Sequence, residues 1–210
     1  MKKYLAEFAG TFLLVFFGTG SIVLSQSGFT FFDHTMISIT FGISVFTMIL
    51  LFGKLSGAHI NPAVTICLAI DKKFRWKDVL PYCFSQILGA LLASYTLQSL
   101  FPHNELLGAS LPSGSSIQSF LLEILLMFFL MLAIVNGSIN IVFAASVIGI
   151  IVGLEAFFAG PICGASMNPA RSIGPALVSG HPEHLWIYIF APLIGGLLAI
   201  TADKLVKKLR

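Results

Sequence analysis

Six stretches of the chain stay apolar for about 20 residues: 4–25, 35–53, 79–100, 118–136, 141–159 and 185–206. A helix rising ~1.5 Å per residue needs about that length to cross ~30 Å of hydrocarbon. The pattern therefore predicts an all-α membrane protein with six transmembrane helices. The breaks are polar or rich in Gly and Pro: SQSGFTFFDH at 25–34, FPHNELLGASLPSGSS at 101–116 and VNGSIN at 135–140. Two further apolar patterns, about 61–70 and 168–178, are helical in spacing but too short to span. At ~1.5 Å per residue each covers about 15 Å, half a bilayer.

Each short pattern opens with Asn-Pro-Ala, Asn61-Pro62-Ala63 and Asn168-Pro169-Ala170. Asn is a favoured N-cap, and Pro fits the first helical position, where no N–H is needed. One such tripeptide is most simply a helix start. Two, in register and each followed by a half-length helix, are more than that. GAHINPAVTI (57–66) aligns with GASMNPARSI (164–173) at an offset of 107 residues, and YCFSQILGALLA (82–93) with YIFAPLIGGLLA (188–199) at 106. Glu7 and Glu123 stand near the starts of spans one and four. With three spans per half, the second half must cross in the opposite sense, an inverted 3+3 repeat with its site at the repeat interface near the midplane. The two half-helices are then re-entrant, and their N-termini meet there. The non-helical lead-ins, about 54–60 and 160–167, carry backbone polar groups to that depth. Irregular backbone survives there only when buried in protein or lining a wet cavity. Gly57, Ala58 and His59 on one lead-in, with Cys163 and Gly164 on the other, are expected to form two carbonyl ladders along one pore.

Composition agrees with a lipid environment. The chain is 57% hydrophobic and 10% charged, with mean hydropathy +0.95, where soluble domains carry about a quarter charged residues. Lys2, Lys3, Lys54, Lys72, Lys73, Arg75, Lys77, Lys204, Lys207, Lys208 and Arg210 all fall on one side of the six-span map. The positive-inside rule makes that side, with both termini, cytoplasmic. Lys2 and Lys3 before an apolar run resemble a signal peptide, but Glu7 interrupts the run and no small-residue cleavage site follows, so an uncleaved first span is expected. Cys67, Cys83 and Cys163 form no CxxC pair and read as free buried thiols, with Cys163 alternatively open to mercurials. Arg171 is the one basic residue off the cytoplasmic side. An ionisable group at membrane depth is by default functional, and Arg171 is expected to line the pore.

Paired Asn-Pro-Ala boxes, the second followed by Arg171, in an inverted six-span repeat resemble the aquaporin and aquaglyceroporin family over essentially the whole chain. The GASMNPARSIGPAL stretch (164–177) is similar to its nodulin-like branch. The resemblance implies a right-handed bundle, a homotetramer with one pore per subunit in the plasma membrane, and passive passage of water or small uncharged solutes. It implies one channel domain over 1–210, with repeat one at about 1–100, a loop at 101–117 and repeat two at about 118–210. It places Phe41, Ala156 and Ala165 beside Arg171 in a selectivity filter. It gives Glu7 and Glu123 the task of accepting bonds from the re-entrant loops. Many strict water channels of this kind carry His where Ala156 stands. Two alanines imply a wider, more apolar filter, compatible with glycerol, urea or undissociated metalloid acids, although water channels also carry the Phe of Phe41.

Glu155 departs from the apolar pattern; it is expected either to accept a bond from the 160–167 loop or to sit protonated. His59 reads as a pore-side loop residue rather than a metal ligand. His34, His103, His181 and His184 map to the outer side, where histidine titration gives pH sensitivity or, more commonly, plain solvated loops. No cofactor, metal or nucleic-acid partner is expected, only membrane lipids and the solute. An intramembrane enzyme would need a nucleophile with a base, and G-x-S-x-G and H-E-x-x-H are missing from the sequence. A secondary transporter shares inverted repeats and broken helices but would need more polar residues in its spans. A scaffold would explain neither Arg171 nor the paired boxes.

Overall fold

The structure, a computed structural model, describes residues 1–137 and 140–209. The centre of the 135–140 break and Arg210, counted above among the inside charges, lie outside the described residues. Among the described residues eight helices follow in order: α1 (Lys2–Gln26), α2 (His34–Ser56), α3 (Pro62–Ile70), α4 (Trp76–Leu100), α5 (Ser116–Val135), α6 (Ile141–Cys163), α7 (Pro169–Ser179) and α8 (Leu185–Leu209). Six are long and apolar enough to cross a membrane. The two others are the half-helices α3 and α7. Both are capped as the sequence predicts. Asn61 Oδ1 accepts from the Ala63 and Val64 N–H groups, and Asn168 Oδ1 from those of Ala170 and Arg171.

The lead-ins are shorter than expected. Helices α2 and α6 run on through residues 54–56 and 160–163 and stop only at Gly57 and Gly164, which adopt left-handed conformations (φ 91° and 82°). A glycine just past the last turn is the usual helix stop, because it alone turns left-handed at no steric cost. Pro161 does not end α6. Its missing N–H would have met the Phe157 carbonyl one turn back, and His34 Nε2 donates to that carbonyl instead, at 2.6 Å.

The inverted symmetry shows in reciprocal contacts. Helices α2 and α6 cross where Gly42 meets Gly149. A Cβ on Gly42 would stand 2.7 Å from the Gly149 carbonyl oxygen, and one on Gly149 2.8 Å from that of Gly42. Each residue thus contacts its own counterpart in the other half, as a two-fold axis requires. Helices α1 and α4 pack where Gly89 abuts the Phe8 carbonyl, and α5 and α8 pack where Gly195 abuts the Ile124 carbonyl. Small residues allow this close approach of backbones, which drives helix association in lipid. Outward-facing positions are large and apolar, Phe84, Leu92, Phe129 and Phe158 among them.

The positive charges gather at one end. Lys3 and Arg75 pair with Asp78 at 2.7 and 3.0 Å, and Lys73 and Lys204 both pair with Asp71 at 2.9 Å. The N-terminus, the 71–78 connection and the end of α8 therefore share one face.

Replacing Gly89 by Leu is expected to force α1 and α4 apart and cost about 1–3 kcal/mol, the usual penalty of overpacking. A lowered melting temperature in detergent is the check, and an unchanged one would mean that the contact is slack.

Candidate functional site

Between Ser56 and Asn61, and between Cys163 and Asn168, the chain is non-helical and strained. Ala58, Ile60, Ala165 and Met167 have φ of 46°, 43°, 40° and 49°. Non-glycine residues rarely hold such angles, β-branched ones least of all, and each costs of order 1–3 kcal/mol unless its surroundings fix it. Two carboxylates do the fixing. Glu7 Oε1 accepts from His59 N at 3.0 Å and Oε2 from Ile60 N at 2.7 Å. Glu123 Oε1 and Oε2 accept from Ser166 N and Met167 N, both at 2.7 Å. Both acids are fully buried, so these bonds are made where no water competes for them.

The strands then meet. Asn61 Nδ2 donates to the Met167 carbonyl and Asn168 Nδ2 to the Ile60 carbonyl, each at 2.8 Å. A side-chain amide has two hydrogens; each Asn spends one on the opposite strand and keeps one for the space beside it. That space is a cavity of about 410 Å³. Gly57 to Asn61 and Ala165 to Asn168 line one side of it, and apolar residues of α2 and α6, such as Val45, Ile49, Ile148 and Val152, line the other. The half-helices α3 and α7 point their positive ends at the same level, so the region carries a positive potential without any ion.

Towards the α6 C-terminal end, Phe41, Ala156, Ala165 and Arg171 line the same cavity. Arg171 is 3% exposed. Its guanidinium carbon lies 5.1 Å from the centre of the Phe41 ring, within cation–π range. Its Nη1 donates to the Gly108 carbonyl at 3.1 Å and to Ser110 Oγ. Phe41 is held in turn because Gly18 has no side chain; a Cβ there would overlap the Phe41 ring.

Residues 1–202 match the model of the Major intrinsic protein family. The chain belongs to the major intrinsic protein family. It is 38% identical to aquaporin NIP1-1 of Zea mays, across 99% of this chain and 75% of that one. It is 36% identical to nodulin-26 of Glycine max, across 99% and 78%. Among solved structures it is similar to the aquaglyceroporin from Plasmodium falciparum, with TM-score 0.89, 28% identity, and coverage of 99% of this chain and 97% of that one.

In this major intrinsic protein the expected residues do not all share one place. Asn61, Asn168, Gly57, Ala58, His59 and the four expected filter residues line the cavity, but Pro62, Ala63, Pro169 and Ala170 of the two boxes do not, nor do Cys163 and Gly164. Cys163 is the last helical residue, fully buried. Its carbonyl accepts from Tyr188 Oη at 2.8 Å, as the Ser56 carbonyl does from Tyr82. In the second half the cavity lining therefore begins at Ala165, and Cys163 offers it no thiol. Glu155 accepts nothing from the 160–167 loop: both its oxygens are buried and without a hydrogen-bond partner among the described residues. Ala156, its neighbour, faces the cavity, and Glu155 does not.

Sequence reasoning missed the groups that hold the first strand from behind. Gln86 Nε2 donates to Glu7 Oε2 at 2.7 Å and to Thr65 Oγ1 at 3.0 Å. Thr65 spends its one hydrogen on the Asn61 carbonyl at 2.9 Å. His59 Nδ1, 3.1 Å from Thr65 Oγ1, must therefore be the donor, which leaves the Nε2 lone pair of the neutral ring unspent. Gln86 lies in the YCFSQILG stretch that repeats, yet its counterpart is Pro192, so repetition alone could not mark it.

Glu123→Ala leaves two buried N–H groups unpaired and should destabilise the protein by roughly 2–6 kcal/mol, at ~1–3 per group. Thermal unfolding in detergent should place Glu123→Gln, which keeps one acceptor, between Glu123→Ala and the parent.

Proposed function

We propose that the chain is a passive channel for water and small uncharged solutes, with glycerol, urea or undissociated metalloid acids among them, and that it excludes protons and ions. The observation that carries this reading is the reciprocal Asn61–Asn168 arrangement at the closed end of two opposed helix dipoles. A water at that level accepts from both spare amide hydrogens, so its own hydrogens point away along the pore. An oriented water cannot pass a proton from one side to the other, and the positive dipole ends repel cations. Arg171 adds a fixed positive charge and hydrogen-bond donors to the filter. Ala156 and Ala165 leave that filter short of bulk and apolar on two sides, which supports passage of solutes larger than water. The names of the relatives, aquaporins of the nodulin-like group and an aquaglyceroporin, support the same reading. A strict water channel is the alternative that the bulky Phe41 ring favours.

We place the whole of 1–210 in one channel domain, assembled as a homotetramer among the lipids of the plasma membrane. Both termini lie on the cytoplasmic side, where the lysine-rich face meets the positive-inside rule. The loop-bracing role of Glu7 and Glu123 and the filter role of Phe41, Ala156, Ala165 and Arg171 belong to this reading.

The test is stopped-flow light scattering on proteoliposomes with water, glycerol, urea and arsenous acid in parallel. Faster flux of water and of at least one larger solute than through bare lipid is expected. Water flux alone would select the strict water channel, and no excess flux of any kind would end the proposal. In the same vesicles Asn61→Asp, which replaces the spare amide donor by a carboxylate, should admit cations; vesicles as ion-tight as the parent would refute the account of the midplane barrier.

A further inference from the structure

The two halves reinforce their strands in matching places with unlike chemistry. In the first half His59 bonds Thr65, 3.1 Å apart, across the turn that Asn61 caps. The counterparts at the 107-residue offset, Ser166 and Ser172, bond each other at 2.6 Å across the turn that Asn168 caps. Thr65 is then tied by Gln86 to Glu7. Ser172 is tied instead to the loop between α4 and α5, donating to Ser110 Oγ at 3.0 Å. Ser110 is the same hydroxyl that receives Arg171 Nη1.

The result is a buried chain of hydroxyls behind the filter. Ser166 Oγ donates to the Asn168 carbonyl at 3.0 Å and lies 2.6 Å from Ser172 Oγ. Ser166 Oγ in turn lies 3.3 Å from the Asn168 N–H, which donates to it. Ser110, Ser166 and Ser172 are 4%, 5% and 1% exposed, and of the three only Ser166 lines the cavity. Arg171 depends on this end of the chain. Its side-chain hydrogen bonds to described residues leave from Nη1 alone, to the Gly108 carbonyl and Ser110. Its buried Nε has no acceptor among them. The backbone carbonyl and the serine hydroxyl together set where the guanidinium sits over Phe41.

We propose that Ser110 is a specificity-determining positioning residue: through its hydroxyl it fixes Arg171 in the filter and couples that position, by way of Ser172 and Ser166, to the second Asn-Pro-Ala turn. The inference rests on the channel reading above and deepens it. Ser110 acts through Arg171. The loop itself is held by other groups. Leu107 is buried at 1% exposure, and Ser113 donates from both N and Oγ to the Ile162 carbonyl at 3.0 and 2.9 Å. Deleting one hydroxyl therefore frees the arginine without unseating the loop.

The test compares glycerol and urea permeability with water permeability in proteoliposomes of the parent, Ser110→Ala, Ser110→Thr, Arg171→Ala and the double variant Ser110→Ala/Arg171→Ala. Ser110→Ala is expected to change the solute-to-water ratio roughly three- to tenfold, the scale of losing one ordinary hydrogen bond, since the Gly108 carbonyl still holds the guanidinium. Ser110→Thr, which keeps the hydroxyl, should stay near the parent. Against Arg171→Ala, the further loss of Ser110 should leave the ratio where it was, because a residue that acts only through Arg171 has nothing left to position. A parent-like ratio in Ser110→Ala, or a full additional effect in the double variant, would overturn the inference. Ser172→Ala gives a second reading, with a smaller change in the same direction expected and none counting against the coupling. A parent protein no leakier than lipid would instead refute the channel reading itself.

Discussion

Everything at the centre of this protein depends on satisfying irregular backbone where no water is available to do it. A helix spans a membrane because its peptide groups bond one another; a strand at the midplane has no such provision. Here two such strands hang from two buried carboxylates. Glu7 and Glu123 take the N–H groups on one side of each strand, and this arrangement holds angles that alanine, isoleucine and methionine do not adopt unaided. The carbonyls and the Asn amides are what remains for the lumen. A charge that would be a liability in lipid is thus the device that keeps a polar path open through it.

The same constraint explains why the two halves are so alike where they are alike. Tyr82 and Tyr188 close the last carbonyl of α2 and α6. Gly89 and Gly195 let the outer helices approach. Asn61 and Asn168 each cap a half-helix and bond the opposite strand. These are the positions where backbone must be satisfied or allowed to come close, and both halves solve them in the same way. The halves diverge one layer further out, where His59, Thr65 and Gln86 in one do the work of Ser166, Ser172 and Ser110 in the other. Arg171 itself stands where the first half has Val64, so a guanidinium lies on one side of the midplane only.

Legibility in the sequence followed the same division. The spans, the half-helices, their caps and the inversion were readable, because length, apolarity, Asn-Pro and offset are properties of the chain itself. The expected lead-ins open at about 54 and 160, but α2 and α6 run on to Gly57 and Gly164, the two glycines assigned to the ladders. His34, distant in sequence, supplies the hydrogen that Pro161 withholds. Ser110 was not legible at all, because a serine in a polar loop announces nothing until the fold lays it against Arg171. Glu155 stood out in the sequence and still stands out in the fold, buried next to Ala156 without a partner among the described residues.

The bonds between the two Asn boxes join residues 106 and 108 positions apart, whereas each carboxylate reaches its own strand within its own half. The order of synthesis follows from this difference. The first half can enter the bilayer and secure its strand as soon as α4 brings Gln86 alongside, but its half-helix faces an empty slot until the last third of the chain leaves the ribosome. Biogenesis of this protein is therefore a matter of waiting: one finished half must shelter an open polar tip from the surrounding acyl chains until its mirror partner arrives to close it.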